Sequence, residues 1–146
     1  MAIFTLTASI GVVFGLIASL QDELGFADGI LGLIAASAFF SAVVAQLLLA
    51  PLADRGHTKL LMAGAIVIAA LGSFWFAVAS SAWELILARV STGLGIGAFA
   101  PAARAVVANA DTSRAGERLG RLTAVETSGF VAGPVVGAFI NEVWGL

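Results

Sequence analysis

Residues 29–49 read GILGLIAASAFFSAVVAQLLL, a run of 21 residues without a charged side chain. A helix rising 1.5 Å per residue needs about 20 mainly apolar residues to cross a hydrocarbon core about 30 Å thick. Lipid offers no partner to free backbone groups, so a helix is the default structure for such a run. The stretch also lacks the alternating polarity of a barrel strand. It therefore predicts a membrane-spanning helix.

Similar apolar runs flank this stretch on both sides. The predicted spans are residues 2–20, 29–49, 60–80, 83–109 and 119–143. The first run lacks a positively charged start and is followed by further apolar runs, so we interpret it as a retained span rather than a signal peptide. The polar connections, residues 21–28, 51–59, 80–82 and 110–118, are short, which favours antiparallel neighbours in one bundle. We predict an all-α integral membrane protein with five transmembrane helices.

The composition supports a lipid bilayer as the main partner and excludes several other classes. Of the 146 residues, 60% are hydrophobic and 11% are charged, and the mean hydropathy is +1.06. A soluble domain carries about 25% charged residues. The net charge of −2 argues against a nucleic-acid partner. With no cysteine, one histidine, no cluster of acids and no phosphate-binding loop, we expect no metal site, no cofactor and no enzyme activity.

The basic residues predict the orientation of the chain. Six of the seven lie at the exits of the second and fourth spans: Arg55, Lys59, Arg104, Arg114, Arg118 and Arg121. The connection after the first span carries Asp22, Glu23 and Asp28 instead. Cytoplasmic loops are enriched in Lys and Arg. We therefore predict a multi-pass protein of the plasma (inner) membrane, with the N-terminus cytoplasmic and the C-terminus of this chain outside.

Two of the charged residues within the predicted spans are candidate functional residues. Arg89 lies about six residues into the fourth span, where a charge is costly and is expected to face the bundle interior, a partner or a watery cavity. The alternative is an arginine that snorkels to the headgroups. Glu126 lies near the start of the fifth span. It is a candidate proton carrier, or else an interfacial acid that is capped by water or paired with Arg104 or Arg121.

Glycines recur at four-residue spacing. Gly129, Gly133 and Gly137 share one helix face, and Gly93 with Gly97 repeats the spacing in the fourth span. Small residues at this spacing let membrane helices approach closely. Pro134 removes a backbone donor, so the fifth span is expected to kink there.

The connection after the second span resembles a loop of known transporters. In the major facilitator superfamily the loop between spans 2 and 3 reads G-x-x-x-D-R-x-G-R-R. Asp54, Arg55 and Lys59 match this pattern, whereas Ala50 replaces its first glycine and residues 57–58 replace Gly-Arg. From the residues alone, Asp54 could also cap a helix or pair with Arg55.

Two further motifs extend the resemblance over essentially the whole chain. The fourth span is similar to the R-x-x-x-G pattern of the family at Arg89 and Gly93. The fifth span is similar to the G-x-x-x-G-P-x-x-G-G motif of drug–proton antiporters. The matching positions are Gly129, Gly133, Pro134 and Gly137, with Ala138 in the last place.

The resemblance implies a role for each motif. Asp54, Arg55 and Lys59 would form a cytoplasmic gating loop between the two halves of a transporter. Arg89 would assist proton coupling or substrate binding in a central cavity, and the Gly133–Pro134 kink would shape its wall. Such transporters carry twelve helices in two halves built from three-helix repeats. The chain is therefore expected to be a truncated N-terminal domain, a partial six-helix bundle over residues 1–146 that lacks its C-terminal half.

The resemblance predicts a secondary transporter that exports small organic compounds, with protons as the coupling ion. A metabolite or sugar carrier of the same family is the alternative within this class. The alternative outside it is a small non-transporting membrane protein that packs on a partner through its glycine faces.

Overall fold

The structure, a computed structural model, describes residues 1–110 and 112–144, and their side chains except those of residues 17–20, 22–24 and 144. A 3-10 turn, Thr112–Arg114, directly precedes the last helix. The described residues contain no strand, so the all-α prediction is confirmed. The helices are α1 (Ala2–Leu24), α2 (Asp28–Asp54), α3 (Thr58–Val78), α4 (Ala82–Ala110) and α5 (Ala115–Trp144).

The helices are those of a multi-pass membrane protein. Four of them, α2 to α5, are long and apolar enough to cross a bilayer, and the described side chains of α1 contribute an apolar run from Ala2 to Leu16. Large apolar side chains cover the outside of the bundle, as Phe40 (73% exposed) and Phe74 (70% exposed) illustrate. A soluble protein rarely exposes such surface. In a bilayer these side chains face lipid.

The connection between α2 and α3 is shorter than the sequence predicted, because α2 continues to Asp54. Gly56 has φ +88°, the left-handed conformation that ends many helices. The Gly56 N–H donates to the carbonyl of Ala53 at 3.1 Å, and the His57 N–H donates to that of Leu52 at 3.2 Å. This pair of bonds is a Schellman motif, and it satisfies carbonyls that the helix end leaves free.

The other connections are short for similar local reasons. α1 continues to Leu24 and ends at Gly25, whose φ is +63°. The predicted acids Asp22 and Glu23 lie outside the described side chains. At the start of α4, the Ser81 N–H donates to the Glu84 carboxylate at 3.1 Å and the Glu84 N–H donates to Ser81 Oγ at 3.4 Å. This reciprocal capping box fixes where α4 begins.

The bundle consists of two closely packed sets of helices. α1 packs mainly on α5, while α2 and α3 pack on two faces of α4. Contacts between the sets, such as those of α1 with α2, are sparse by comparison. We call the boundary between the two sets the seam. α4 is more buried than α2, α3 or α5, and small residues along it such as Ala88 and Ala102 are inaccessible.

Candidate functional site

A cavity lies along the seam. Its volume is about 480 Å³, within the range of about 300–1,000 Å³ typical of small-molecule sites. Side chains from α1, α2, α4 and α5 line it. The polar members are Thr7, Gln46, Arg104, Thr123, Glu126 and Thr127. The apolar members are Ile10, Phe39, Ala42, Val43, Ile96, Gly97, Ala100 and Phe130.

An ion pair crosses the seam at this cavity. Arg104 Nη2 of α4 donates to Glu126 Oε2 of α5 at 3.1 Å and to Oε1 at 3.4 Å. The side chains are 41% and 22% exposed, so both remain accessible from the cavity. Among the described residues it is the one ion pair that joins two helices. Of the two partners considered for Glu126, the structure gives Arg104, because Arg121 bonds Glu117 at 2.6 Å on its own helix.

An aromatic cluster closes the apolar part of the seam. The ring centroids of Phe14, Phe39 and Phe130 lie 6.0–6.1 Å apart, and Phe130 meets the other two edge to face. Such geometry is favoured because the ring edge is positive and the face negative. Phe39 and Phe130 also line the cavity, so the cavity combines a charged pair with aromatic surface.

Arg89 is fully buried but does not line the cavity. It is 1% exposed, so it does not snorkel to the surface. Its Nε and Nη2 atoms have no hydrogen-bond partner among the described residues. It shares a helix face with Gly93 and Gly97, at i, i+4 and i+8. Arg104 follows 15 residues later, about 22 Å along α4. The structure therefore does not bring Arg89 together with Glu126.

The predicted gating loop lies at the end of the bundle where α2 meets α3. Asp54, Arg55 and Lys59 are all exposed. Asp54 is the last residue of α2 and Arg55 is its C-cap. No side-chain hydrogen bond or ion pair within the described residues involves these three. Among the described residues, Asp54 therefore neither caps a helix nor pairs with Arg55.

The predicted packing glycines lie where helices touch. A Cβ on Gly93 or Gly97 would overlap the carbonyl of Ala38 or Ala42 on α2. On α5, Gly129, Gly133 and Gly137 contact the backbone of α1 so closely that a Cβ on any of them would overlap it.

Pro134 lies within the same contact between α1 and α5. A Cβ on Gly11 of α1 would lie 3.0 Å from Pro134 Cδ. α5 remains one continuous helix through this residue. The kink at Pro134 remains a prediction.

Sequence reasoning missed part of the cavity wall. Arg104 was grouped with the basic exit of the fourth span, although it lies six residues inside the end of α4. Thr123 and Thr127 were not among the predicted site residues. With Glu126 and Phe130, however, they follow helical spacing on one face of α5. That spacing was the available signal.

A bundle of helices that are long and apolar enough to cross a membrane defines a polytopic membrane protein. The family profile described as Major Facilitator Superfamily matches residues 1–146, and the chain belongs to this family. The predicted family membership is therefore confirmed.

Two curated relatives are similar to the chain. The quinolone resistance protein NorA of Staphylococcus aureus (strain MRSA252) is 29% identical over 142 residues, which are 97% of this chain and 37% of NorA. The multidrug resistance protein MdtG of Klebsiella pneumoniae (strain 342) is 29% identical over 116 residues, 79% of this chain and 28% of MdtG. The chain thus spans about a third of the length of these relatives.

Proposed function

We propose that this chain forms part of a secondary transporter that exports small organic compounds in exchange for protons. The observation that carries the proposal is the Glu126 carboxylate, which lines the cavity and remains 22% exposed while paired with Arg104. The names of the relatives NorA and MdtG refer to quinolone and multidrug resistance, which supports export of small organic compounds.

Protonation of Glu126 would change the charge of the cavity. In the ionised state, Arg104 and Glu126 are the two charged residues of the described lining and cancel each other. A proton on Glu126 leaves Arg104 uncompensated, so the cavity gains one positive charge. The affinity for a charged solute then depends on the protonation of Glu126, which is the linkage that proton exchange requires.

A proton-flux assay tests this proposal. The complete gene product is reconstituted in proteoliposomes, and substrate-induced proton movement is followed with an internal pH dye. Glu126→Gln should abolish proton movement, because the amide cannot ionise. Glu142→Gln is the matched control, since Glu142 lies on the same helix, is exposed and does not line the cavity. Full proton coupling in Glu126→Gln would remove Glu126 from the mechanism.

We infer that Asp54, Arg55 and Lys59 act on a second helix bundle, the C-terminal half of the transporter. Their exposure supports this, as does the absence of ion pairs for them among the described residues. Asp54→Asn should lower the transport rate while leaving the folded state intact. Glu117→Gln is a suitable control, because Glu117 is exposed and bonds only Arg121 in the described structure. Equal rates in the two variants would argue against the gating role.

We propose that the end of the bundle with Arg55 and Lys59 is cytoplasmic, with the N-terminus of this chain on the same side. This chain has no cysteine, which makes the test direct. Lys59 lies at the start of α3, and Ser81 lies in the connection that follows the other end of α3. The two test variants are Lys59→Cys and Ser81→Cys. In intact cells, a membrane-impermeant maleimide should label Ser81→Cys and not Lys59→Cys. The reverse pattern would invert the orientation.

A metabolite or sugar carrier is the second candidate. Gln46, Thr123 and Thr127 line the cavity with amide and hydroxyl groups suited to a hydroxylated solute. Competition by polyols in the flux assay would favour this candidate. Competition by apolar organic compounds alone would favour the first proposal, the export of small organic compounds.

A further inference from the structure

The two charged residues of the described cavity lining form an ion pair with each other. Arg104 and Glu126 carry opposite charges and meet at 3.1 Å. Each has spare hydrogen-bonding capacity. A guanidinium has five N–H donors and a carboxylate about four acceptor sites, whereas the bonds described here join Nη2 of Arg104 to the two oxygens of Glu126. A ligand can therefore bind both side chains without separating them.

This arrangement discriminates between ligands by charge. A ligand with a single charge is attracted to one member of the pair and repelled by the other, a few ångströms away, so the two effects largely cancel. It still loses part of its hydration on entering the cavity. A ligand that carries both charges adds two charges to those of the ion pair, so that four charges of alternating sign lie together. Its carboxylate then bonds Arg104 and its ammonium bonds Glu126. Charge-assisted bonds of this kind are roughly twice as strong as neutral ones.

The rest of the cavity defines the shape of the ligand. Phe130 follows Glu126 by one helical turn, about 6 Å along α5, and Phe39 lies beside it at 6.1 Å. The charged groups of the ligand must therefore lie together at one end, with an apolar body extending past the aromatic side chains.

We propose that the cavity selects zwitterionic compounds whose ammonium and carboxylate groups lie at one end of an apolar body. This proposal rests on the proposed function, in which the cavity is the site of the transported solute. The Arg104–Glu126 pair is the element that recognises both charges. A cation or an anion with the same apolar body is a poorer ligand.

Four compounds on one scaffold test the proposal. They are 2-naphthylalanine, 2-(2-naphthyl)ethylamine, 3-(2-naphthyl)propionic acid and 2-(2-naphthyl)ethanol, measured at pH 7 by calorimetry on the complete gene product in nanodiscs. The zwitterion should bind about tenfold or more tightly than the cation or the anion, because it makes one further charge-assisted hydrogen bond; tenfold corresponds to about 1.4 kcal/mol.

Variants of the pair provide the control. Arg104→Gln should shift the preference to the cation, and Glu126→Gln should shift it to the anion. The exchange variant Arg104→Glu/Glu126→Arg should restore the preference for the zwitterion, because the pair is rebuilt in reverse. Arg121→Gln, outside the cavity and paired with Glu117, should leave the order of affinities unchanged.

The outcomes separate this proposal from the proposed function. If the cation or the anion binds wild-type protein as tightly as the zwitterion, and Phe39→Ala weakens binding, the cavity is a solute site but the charge selection is wrong. If Phe39→Ala and the pair variants change the affinity of none of the four compounds, the cavity is not the solute site and both proposals are overturned.

Discussion

Gly133→Ala is expected to force α1 and α5 apart. A Cβ at Gly133 would lie 2.5 Å from Gly11 Cα and 2.6 Å from the carbonyl oxygen of Ala8. Both are backbone atoms, which cannot rotate away as a side chain can. An ordinary Cβ contact begins at 3.4 Å, so the two helices must separate locally by about 3.4 − 2.5 = 0.9 Å. Such a shift loosens the neighbouring contacts along the same helix pair.

The magnitude follows from two opposing effects. Overpacking a tight contact costs about 1–3 kcal/mol, and replacing a glycine within a helix recovers about 0.5–1 kcal/mol. Gly120→Ala on the same helix isolates the second effect, because a Cβ there meets nothing within 4 Å. The free energy of unfolding of Gly133→Ala should therefore lie about 1–3 kcal/mol below that of Gly120→Ala.

Thermal unfolding in detergent micelles measures this difference. Each kcal/mol corresponds to about 2–4 °C in the midpoint for a chain of this size, so the two alanine variants should differ by several degrees. Size-exclusion profiles of heated samples report the fraction that remains folded. If the two midpoints coincide, the close contact at Gly133 does not contribute to stability and the packing argument fails.

Three further substitutions test other features. Arg89→Met should raise the unfolding free energy by about 1–3 kcal/mol, because it removes the buried Nε and Nη2 atoms that have no hydrogen-bond partner among the described residues; a loss of stability in the same unfolding assay would reveal a partner that the described residues do not supply. Gly56→Ala should cost about 1–2 kcal/mol, since alanine disfavours φ +88°, whereas Gly64→Ala, at an ordinary φ with nothing within 4 Å, should not destabilise the chain. Glu84→Gln should accelerate exchange of the Ser80 and Ser81 amides, which donate to the Glu84 carboxylate at 3.2 and 3.1 Å just before α4, and unchanged exchange would rule out a capping role.

The helices were predictable from the sequence, whereas their ends were not. The thickness of a bilayer fixes the length of an apolar run, so runs such as 29–49 identify membrane helices directly. Helix ends depend on local hydrogen bonds that hydropathy ignores. α2 passes through Pro51 to Asp54 because the turn at Gly56 satisfies its last carbonyls. The pattern Ser81-x-x-Glu84 contained the signal for the start of α4, but a search for apolar runs does not register it.

The candidate site was predictable only in part. The position of Glu126 within an apolar span predicted a proton carrier or an acid paired with a basic residue, and the structure places it in the cavity lining beside Arg104. Its partner Arg104 lies 22 residues away in sequence, and the contact depends on how α4 and α5 are rotated relative to each other. No pattern within one helix determines that rotation. The same reason explains why Arg89 could be predicted to face inward but not placed outside the cavity lining.

The size of the side chains explains why the cavity lies along the seam. Every described glycine whose Cβ would clash does so within one of the two helix sets. Examples are Gly133 between α5 and α1, Gly97 between α4 and α2, and Gly95 between α4 and α3. None of these close approaches crosses the seam. Across it, Phe39 and Phe130 meet with their ring centroids 6.1 Å apart, and the long side chains of Arg104 and Glu126 bridge α4 and α5. Helices joined through such side chains cannot approach as closely as helices that touch through glycine, so space for a solute remains between them. Replacing the bridging side chains by small residues would therefore be expected to close the cavity rather than enlarge it.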